Sequence, residues 1–213
     1  MQLRAALATL LKEYPELNEL TRAPQGTPEP AGLDLKFATH DGEKVYAMVQ
    51  IPLPRGSGTL YVSQKPGRSP QRLVPELEGI VGFGITHIVC CIPEEDLAEV
   101  YDDPAFLRET RARFGDRLRM CEILDYEVPV DEPLFDSHVA LTDQALEAGG
   151  KVLVHCGAGC GRAGLFASCL LVRRGLAPYE AVQLYWRNRG CGPETSDQVV
   201  YVQRYAQRLG AGP

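Results

Sequence analysis

The chain has 213 residues, 45% of them apolar and 23% charged, with a formal net charge of −6. This size and mix predict one domain with an extension, or two small ones, and exclude a disordered polymer; the negative balance argues against a nucleic-acid-binding surface, though not against a local anion pocket. No apolar run approaches the roughly 18 residues of a membrane span, the N-terminus lacks the order of a signal peptide, and seven cysteines without a repeating spacing speak against a disulfide framework and for a reducing, cytoplasmic compartment.

In chain order, Leu3, Leu7, Leu10, Leu11, Leu17 and Leu20 stand at helical spacing, with Pro15 as a kink or break. A Pro/Gly-rich stretch from Thr21 to Gly32 reads as a linker. Alternating runs from Leu33 to Thr39 and Lys44 to Ile51 predict two strands, with Asp41-Gly42 as the hairpin turn between them. Residues 1–57 are therefore read as an N-terminal extension, a helix plus a hairpin, packed on the main domain because two strands cannot bury a face alone. From residue 58 to 213 strands and helices alternate. Strands are expected over 59–63, 85–91, 118–124 and 152–155. Helices are expected over 70–81, in pieces over 94–115 broken near Pro104, and over 134–148, 163–174, 178–188 and about 195–209. The order predicts an α/β fold, with a central, mainly parallel sheet flanked by helices.

The most informative stretch is Val152-Leu153-Val154-His155-Cys156-Gly157-Ala158-Gly159-Cys160-Gly161-Arg162-Ala163-Gly164. A buried strand ends at a cysteine, a glycine-rich bend follows, and a helix begins at or just after the arginine. The glycines let successive N–H groups of residues 157–161 turn inward as an anion nest. The helix N-terminus adds partial positive charge, and the Arg162 fork matches two phosphate oxygens. Such a field lowers a thiol pKa and makes Cys156 a candidate thiolate nucleophile. A bare Cys-x5-Arg is expected about 0.6 times by chance in a chain of this composition, so the weight lies in the strand, the glycines and the helix around it.

His155-Cys156-x5-Arg162 resembles the signature of the cysteine-dependent protein tyrosine and dual-specificity phosphatases, over roughly residues 59–209. Leu60-Tyr61-Val62-Ser63 with Pro66-Gly67, the stretch Gly84-Ile85-Thr86-His87-Ile88-Val89 and the cysteine loop resemble the cyclin-dependent-kinase-associated phosphatase branch. The resemblance implies a phosphotyrosine-phosphatase-like fold and a two-step, metal-free and cofactor-free reaction. Cys156 attacks phosphorus, Arg162 and the amides of Gly157, Ala158, Gly159, Cys160 and Gly161 hold the phosphoryl group, and an aspartate on a separate loop protonates the leaving oxygen and then activates water. Asp125, Asp131 and Asp136 compete for that last role; Asp125 has the family's spacing and follows a strand's carboxyl end. His155 is expected behind the loop as a support. Gln198 is weighed as the residue that positions the hydrolytic water against a plain surface role. Where the family usually carries Ser or Thr after the arginine stands Ala163, which implies slow breakdown of a phosphocysteine.

Cys160 is read as an apolar filler, with a redox trap for Cys156 as the sharper alternative. Cys90, Cys91, Cys121 and Cys169 are assigned to the core, the arginines at 108, 111, 113, 117 and 119 to a solvated face, and Tyr185 and Trp186 to packing. No basic side chain lies between Cys156 and Arg162, which favours a phosphoprotein or phosphopeptide over highly phosphorylated inositols and their lipids. Phosphate, sulfate and vanadate are the anions such a cradle would take. Two other readings stand beside the phosphatase: a phosphate-binding scaffold without useful turnover, and a rhodanese- or arsenate-reductase-like thiol enzyme.

Overall fold

A computed structural model describes residues 33–210; the helix expected over 3–20 lies outside them. The first two strands, β1 (Leu35–His40) and β2 (Glu43–Ile51), form the expected hairpin. Asp41 and Gly42 take φ of 51° and 82°, the left-handed pair a tight two-residue turn demands. β2 then pairs antiparallel with β3 (Thr59–Ser63), Val49 opposite Val62 and Ile51 opposite Leu60, so the hairpin is continuous with the main sheet.

The rest of the chain alternates as anticipated: α1 (Pro70–Gly82), β4 (His87–Cys90), α2 (Glu94–Glu99), α3 (Phe106–Phe114), β5 (Leu118–Met120), α4 (Glu132–Glu147), β6 (Lys151–His155), α5 (Gly161–Arg173), α6 (Pro178–Arg189) and α7 (Ser196–Gly210). The six strands among the described residues run in the order β1-β2-β3-β6-β4-β5. β3, β6, β4 and β5 are mutually parallel, with β6 in the middle of that group. Among the described residues the result is a mixed sheet flanked by seven helices, its parallel half carrying the Val/Ile/Leu runs that strands buried on both faces require.

α5 is buried from Gly161 through Val172, as its apolar sequence demands. It packs on β6 and meets α4, α6 and α7, while α1 lies against β1, β2 and α3. Phe135 from α4 meets Phe166 of α5 and Tyr201 and Tyr205 of α7 edge to face, with ring centroids 5.7, 5.3 and 6.2 Å apart. Arg113, one of the arginines read as a solvated face, instead pairs with Glu78 at 2.6 Å and Glu109 at 3.0 Å and ties α3 to α1.

Candidate active site

The carboxyl ends of β3, β6, β4 and β5 all point to one edge of the parallel half-sheet, where such folds place their ligands. Cys156 directly follows β6 and is 3% exposed. Its sulfur accepts the Gly159 N–H at 3.2 Å and faces the Ala163 N–H. The bend is built by glycine: Gly159 has φ +75°, and a Cβ there would lie 2.3 Å from the Ser63 carbonyl oxygen at the end of β3.

The bend is also held from outside. The Gly157 carbonyl accepts the Lys65 N–H at 3.1 Å, the Ala158 carbonyl accepts from Arg189 at 2.8 Å, and the Gly159 carbonyl accepts the Tyr185 hydroxyl at 2.8 Å. Three successive carbonyls are thus engaged by donors from beyond the loop. Tyr185, read from sequence as packing alone, is fully buried and also fastens the cradle.

Arg162, at the first turn of α5, is 3% exposed. Its Nη2 donates to the Tyr101 hydroxyl at 3.2 Å and lies 3.1 Å from Asp125 Oδ1; its Nη1 donates to the Ile123 carbonyl at 3.3 Å and lies 4.0 Å from Asp96 Oδ2. Its Nε is buried and has no acceptor among the described residues. Burial works against the Arg162 charge, but Cys156, Asp125 and Tyr101 hold the guanidinium above its ordinary pKa. The arginine is therefore a permanent cation.

The sequence predicted a depressed thiol pKa at Cys156, and here the structure corrects it. Burial, the largest influence, pushes the thiol above its ordinary value; the Ala163 and Gly159 amides and Arg162 pull it back, while Cys91 opposes them. The positive groups are in place, but burial in the cradle keeps water from the sulfur, and the Asp125 carboxylate lies 3.1 Å from the guanidinium whose charge acts on it.

Of the three aspartates, Asp125 alone meets Arg162. Asp131 caps α4 by accepting the Leu134 N–H at 2.9 Å, and Asp136 pairs with Arg208 at 2.9 Å. The strand expected over 118–124 stops at Met120, because β5 is an edge strand paired only with β4; the chain beyond it carries the Ile123 carbonyl and Asp125 to Arg162. His155 is fully buried, lies edge-on to Phe106 with centroids 5.5 Å apart, and is kept neutral by burial, its pKa lowered to about 3.

Gln198 is fully buried rather than at the surface. Its Oε1 accepts the Glu194 N–H at 2.9 Å and its Nε2 donates to the Glu127 carbonyl at 3.1 Å, linking the aspartate loop to the turn before α7. Glu194, which sequence reasoning missed, accepts the Gly161 N–H at 3.0 Å, a carboxylate on one of the cradle's amides.

Cys160 overturns both of its readings. It is neither a free filler nor a trap for Cys156: its sulfur is bonded to Cys191, with the Cα atoms 5.3 Å apart. The turn between α6 and α7 places Cys191 against the cradle, a proximity across 31 residues that no local spacing encodes. Gly192 beside it lies so close that a Cβ would fall 2.2 Å from the Cys160 carbonyl oxygen.

Among the described residues no helix is long and apolar enough to cross a membrane. The fold is similar to that of a kinase-associated phosphatase whose catalytic-site cysteine is substituted by serine, with a TM-score of 0.69, 22% identity, and coverage of 78% of this chain and 97% of that one. It is similar to Tk-PTP in its active form, with a TM-score of 0.58, 25% identity, and coverage of 71% and 93%. It is also similar to the human tyrosine phosphatase-like serine/threonine/tyrosine-interacting protein, with a TM-score of 0.58, 24% identity, and coverage of 78% and 98%. The model of the family PTP-SAK, described as "Swiss Army Knife protein, DSP-PTPase phosphatase domain", matches residues 63–198, more than half of the chain and the whole span from the end of β3 to Gln198. The chain belongs to this family of dual-specificity-type phosphatase domains.

Proposed function

We propose that this protein hydrolyses phosphomonoesters on proteins through a phosphocysteine at Cys156. The observation that supports this most is the buried Arg162, whose charge acts on the Cys156 sulfur and which carries an Nε–H without an acceptor and an Asp125 carboxylate at 3.1 Å. A phosphoryl group seated over the sulfur would supply that acceptor and meet the Gly159 and Ala163 amides as its charge develops. The amides of Gly157, Ala158 and Cys160 complete the cradle in this reading, whereas the Gly161 amide is held by Glu194.

In the first step the Cys156 thiol gives its proton to solvent, and the resulting thiolate forms a bond to phosphorus while the phosphorus–oxygen ester bond breaks. Asp125 gives its proton to the departing oxygen. Asp125 in its protonated form no longer offsets Arg162, so the guanidinium's full charge is then available to the sulfur and the substrate. In the second step water attacks phosphorus, Asp125 takes the water's proton, and the sulfur–phosphorus bond breaks. Gln198 acts through the Glu127 and Glu194 backbones to hold the two loops that frame this water. Ala163 contributes only its N–H to the sulfur, where a hydroxyl would also assist thiolate departure, so the second step limits the rate.

The alternative is a phosphate-binding scaffold. It is favoured by the two carboxylates, Asp125 and Glu194, that already hold Arg162 and the Gly161 amide, and by the missing hydroxyl at 163. Phosphate release from para-nitrophenyl phosphate and from tyrosine and serine phosphopeptides separates the two readings. The enzyme should show a burst followed by a small steady rate. It should lose all turnover in Cys156→Ser, lose about 100-fold or more in Asp125→Asn, and ignore a chelator. Turnover unchanged in Cys156→Ser would overturn the proposal, and tungstate binding without any turnover would establish the scaffold.

A further inference from the structure

Tyr101 belongs to neither the cysteine loop nor the aspartate loop, yet it reaches the cradle. Its hydroxyl accepts a hydrogen bond from Arg162 Nη2 at 3.2 Å. The same oxygen lies 2.1 Å from where a Cβ on Gly157 would be. Any side chain on the first residue after the cysteine would therefore collide with it, and the absence of one at Gly157 is what lets this phenol stand at the mouth of the site.

The position of Tyr101 is fixed by its own turn. α2 ends at Glu99; the Tyr101 N–H donates to the Asp96 carbonyl at 3.0 Å, and Asp102 takes the left-handed φ of 48°. Asp103 then pairs with Lys65 at 2.5 Å, with both side chains buried. Lys65 is the same residue whose N–H holds the Gly157 carbonyl at 3.1 Å. The phenol and the cradle are thus fastened to one common point.

Because Arg162 donates to the Tyr101 oxygen, the phenol's own hydrogen is directed elsewhere, and among the described residues it meets no acceptor. We propose that Tyr101 is a substrate-positioning residue that donates its hydroxyl hydrogen to an oxygen of the bound phosphoryl group while orienting the Arg162 fork. Burial raises the phenol's pKa above its ordinary value, so it is a donor at neutral pH. This inference rests on the phosphatase reading of the same site, but its test does not depend on turnover.

Tungstate binding by isothermal titration calorimetry and hydrolysis of para-nitrophenyl phosphate are measured for wild type, Tyr101→Phe, Gly157→Ala and the double variant. A hydrogen bond to a charged oxygen predicts a Kd for tungstate about tenfold or more weaker in Tyr101→Phe, with the thermal midpoint unchanged. Where turnover is present, KM should rise with kcat/KM. Gly157→Ala should weaken tungstate binding to a similar degree, because its methyl group displaces the phenol oxygen. Added to Tyr101→Phe it should cost less than it does alone, since the 2.1 Å overlap with the phenol oxygen is gone and only the tight contacts with the ring carbon at 3.2 Å and Arg162 Nη2 at 3.3 Å remain. A change below about twofold in Tyr101→Phe, or strictly additive losses in the double variant, would overturn the assignment. Wild type that binds tungstate without hydrolysing esters would refute the phosphatase reading alone, and the binding arms would still decide the role of Tyr101. Wild type that fails to bind tungstate would refute both.

Discussion

Replacing Asp103 by Asn would strip the charge from one end of a fully buried ion pair while keeping its shape. Lys65 is 1% exposed and Asp103 3%. The three ammonium hydrogens have three acceptors: Asp103 Oδ2 at 2.5 Å, the Pro66 carbonyl at 3.1 Å and the Gly67 carbonyl at 3.3 Å. The ammonium also lies 4.7 Å from the centroid of the Phe106 ring. At an effective dielectric of about 20 the attraction between the two charges is roughly 7 kcal/mol, against a desolvation cost of several kcal/mol for each ion. The intact pair therefore contributes little net stability, whereas breaking it leaves one desolvation cost uncompensated. Asp103→Asn should destabilise by about 3–5 kcal/mol, a fall of roughly 6–20 °C in Tm for a chain of this length. Lys65→Met combined with Asp103→Leu should recover most of that loss. Urea unfolding and thermal melts of the three proteins provide the assay. A loss under about 0.5 kcal/mol in Asp103→Asn, or a double variant no better than the single one, would refute the reasoning.

Stability should fall in acid through His155. Its folded pKa of about 3 lies below the ordinary value of 6.5, so between those limits the unfolded chain binds a proton that the native one does not. Stability is complete above about pH 6.5 and declines by up to about 1.4 kcal/mol per pH unit toward pH 3; urea titrations at several pH values should show a shallower dependence in His155→Gln, and parallel curves would contradict the assignment. Reducing the Cys160–Cys191 bond, which closes a loop of 31 residues, should cost about 3–4 kcal/mol by loop entropy. Melts with and without reductant, with Cys191→Ser as a control that reductant should not affect, measure it.

The elements that were legible in the sequence are those whose cause is local. Asp41-Gly42 announced its turn because few other pairs accept two positive φ values. α5 announced itself because a strand, a glycine-rich bend and an apolar run lie end to end, and the same contiguity put Cys156 and Arg162 together on the page. What the sequence hid is what the fold brings from afar. Tyr101 meets Arg162 across 61 residues, Lys65 meets Asp103 across 38, and Cys160 meets Cys191 across 31. None of these has a periodicity to read. The end of β5 was misplaced for a related reason: Cys121 to Leu124 are as apolar as a strand in part, but the chain leaves its single partner there to deliver a carbonyl and a carboxylate to Arg162. The thiol pKa was misjudged because positive groups can be counted in a sequence, whereas the burial that opposes them cannot.

The most direct test of a phosphocysteine is to look for it. Wild-type protein mixed with a tyrosine phosphopeptide, quenched in acid within the burst and measured by intact mass and peptide mapping, should carry one phosphoryl group on the peptide containing Cys156, and Cys156→Ser should carry none. Steady release of phosphate with no adduct on Cys156, or with the adduct on another residue, would contradict the account.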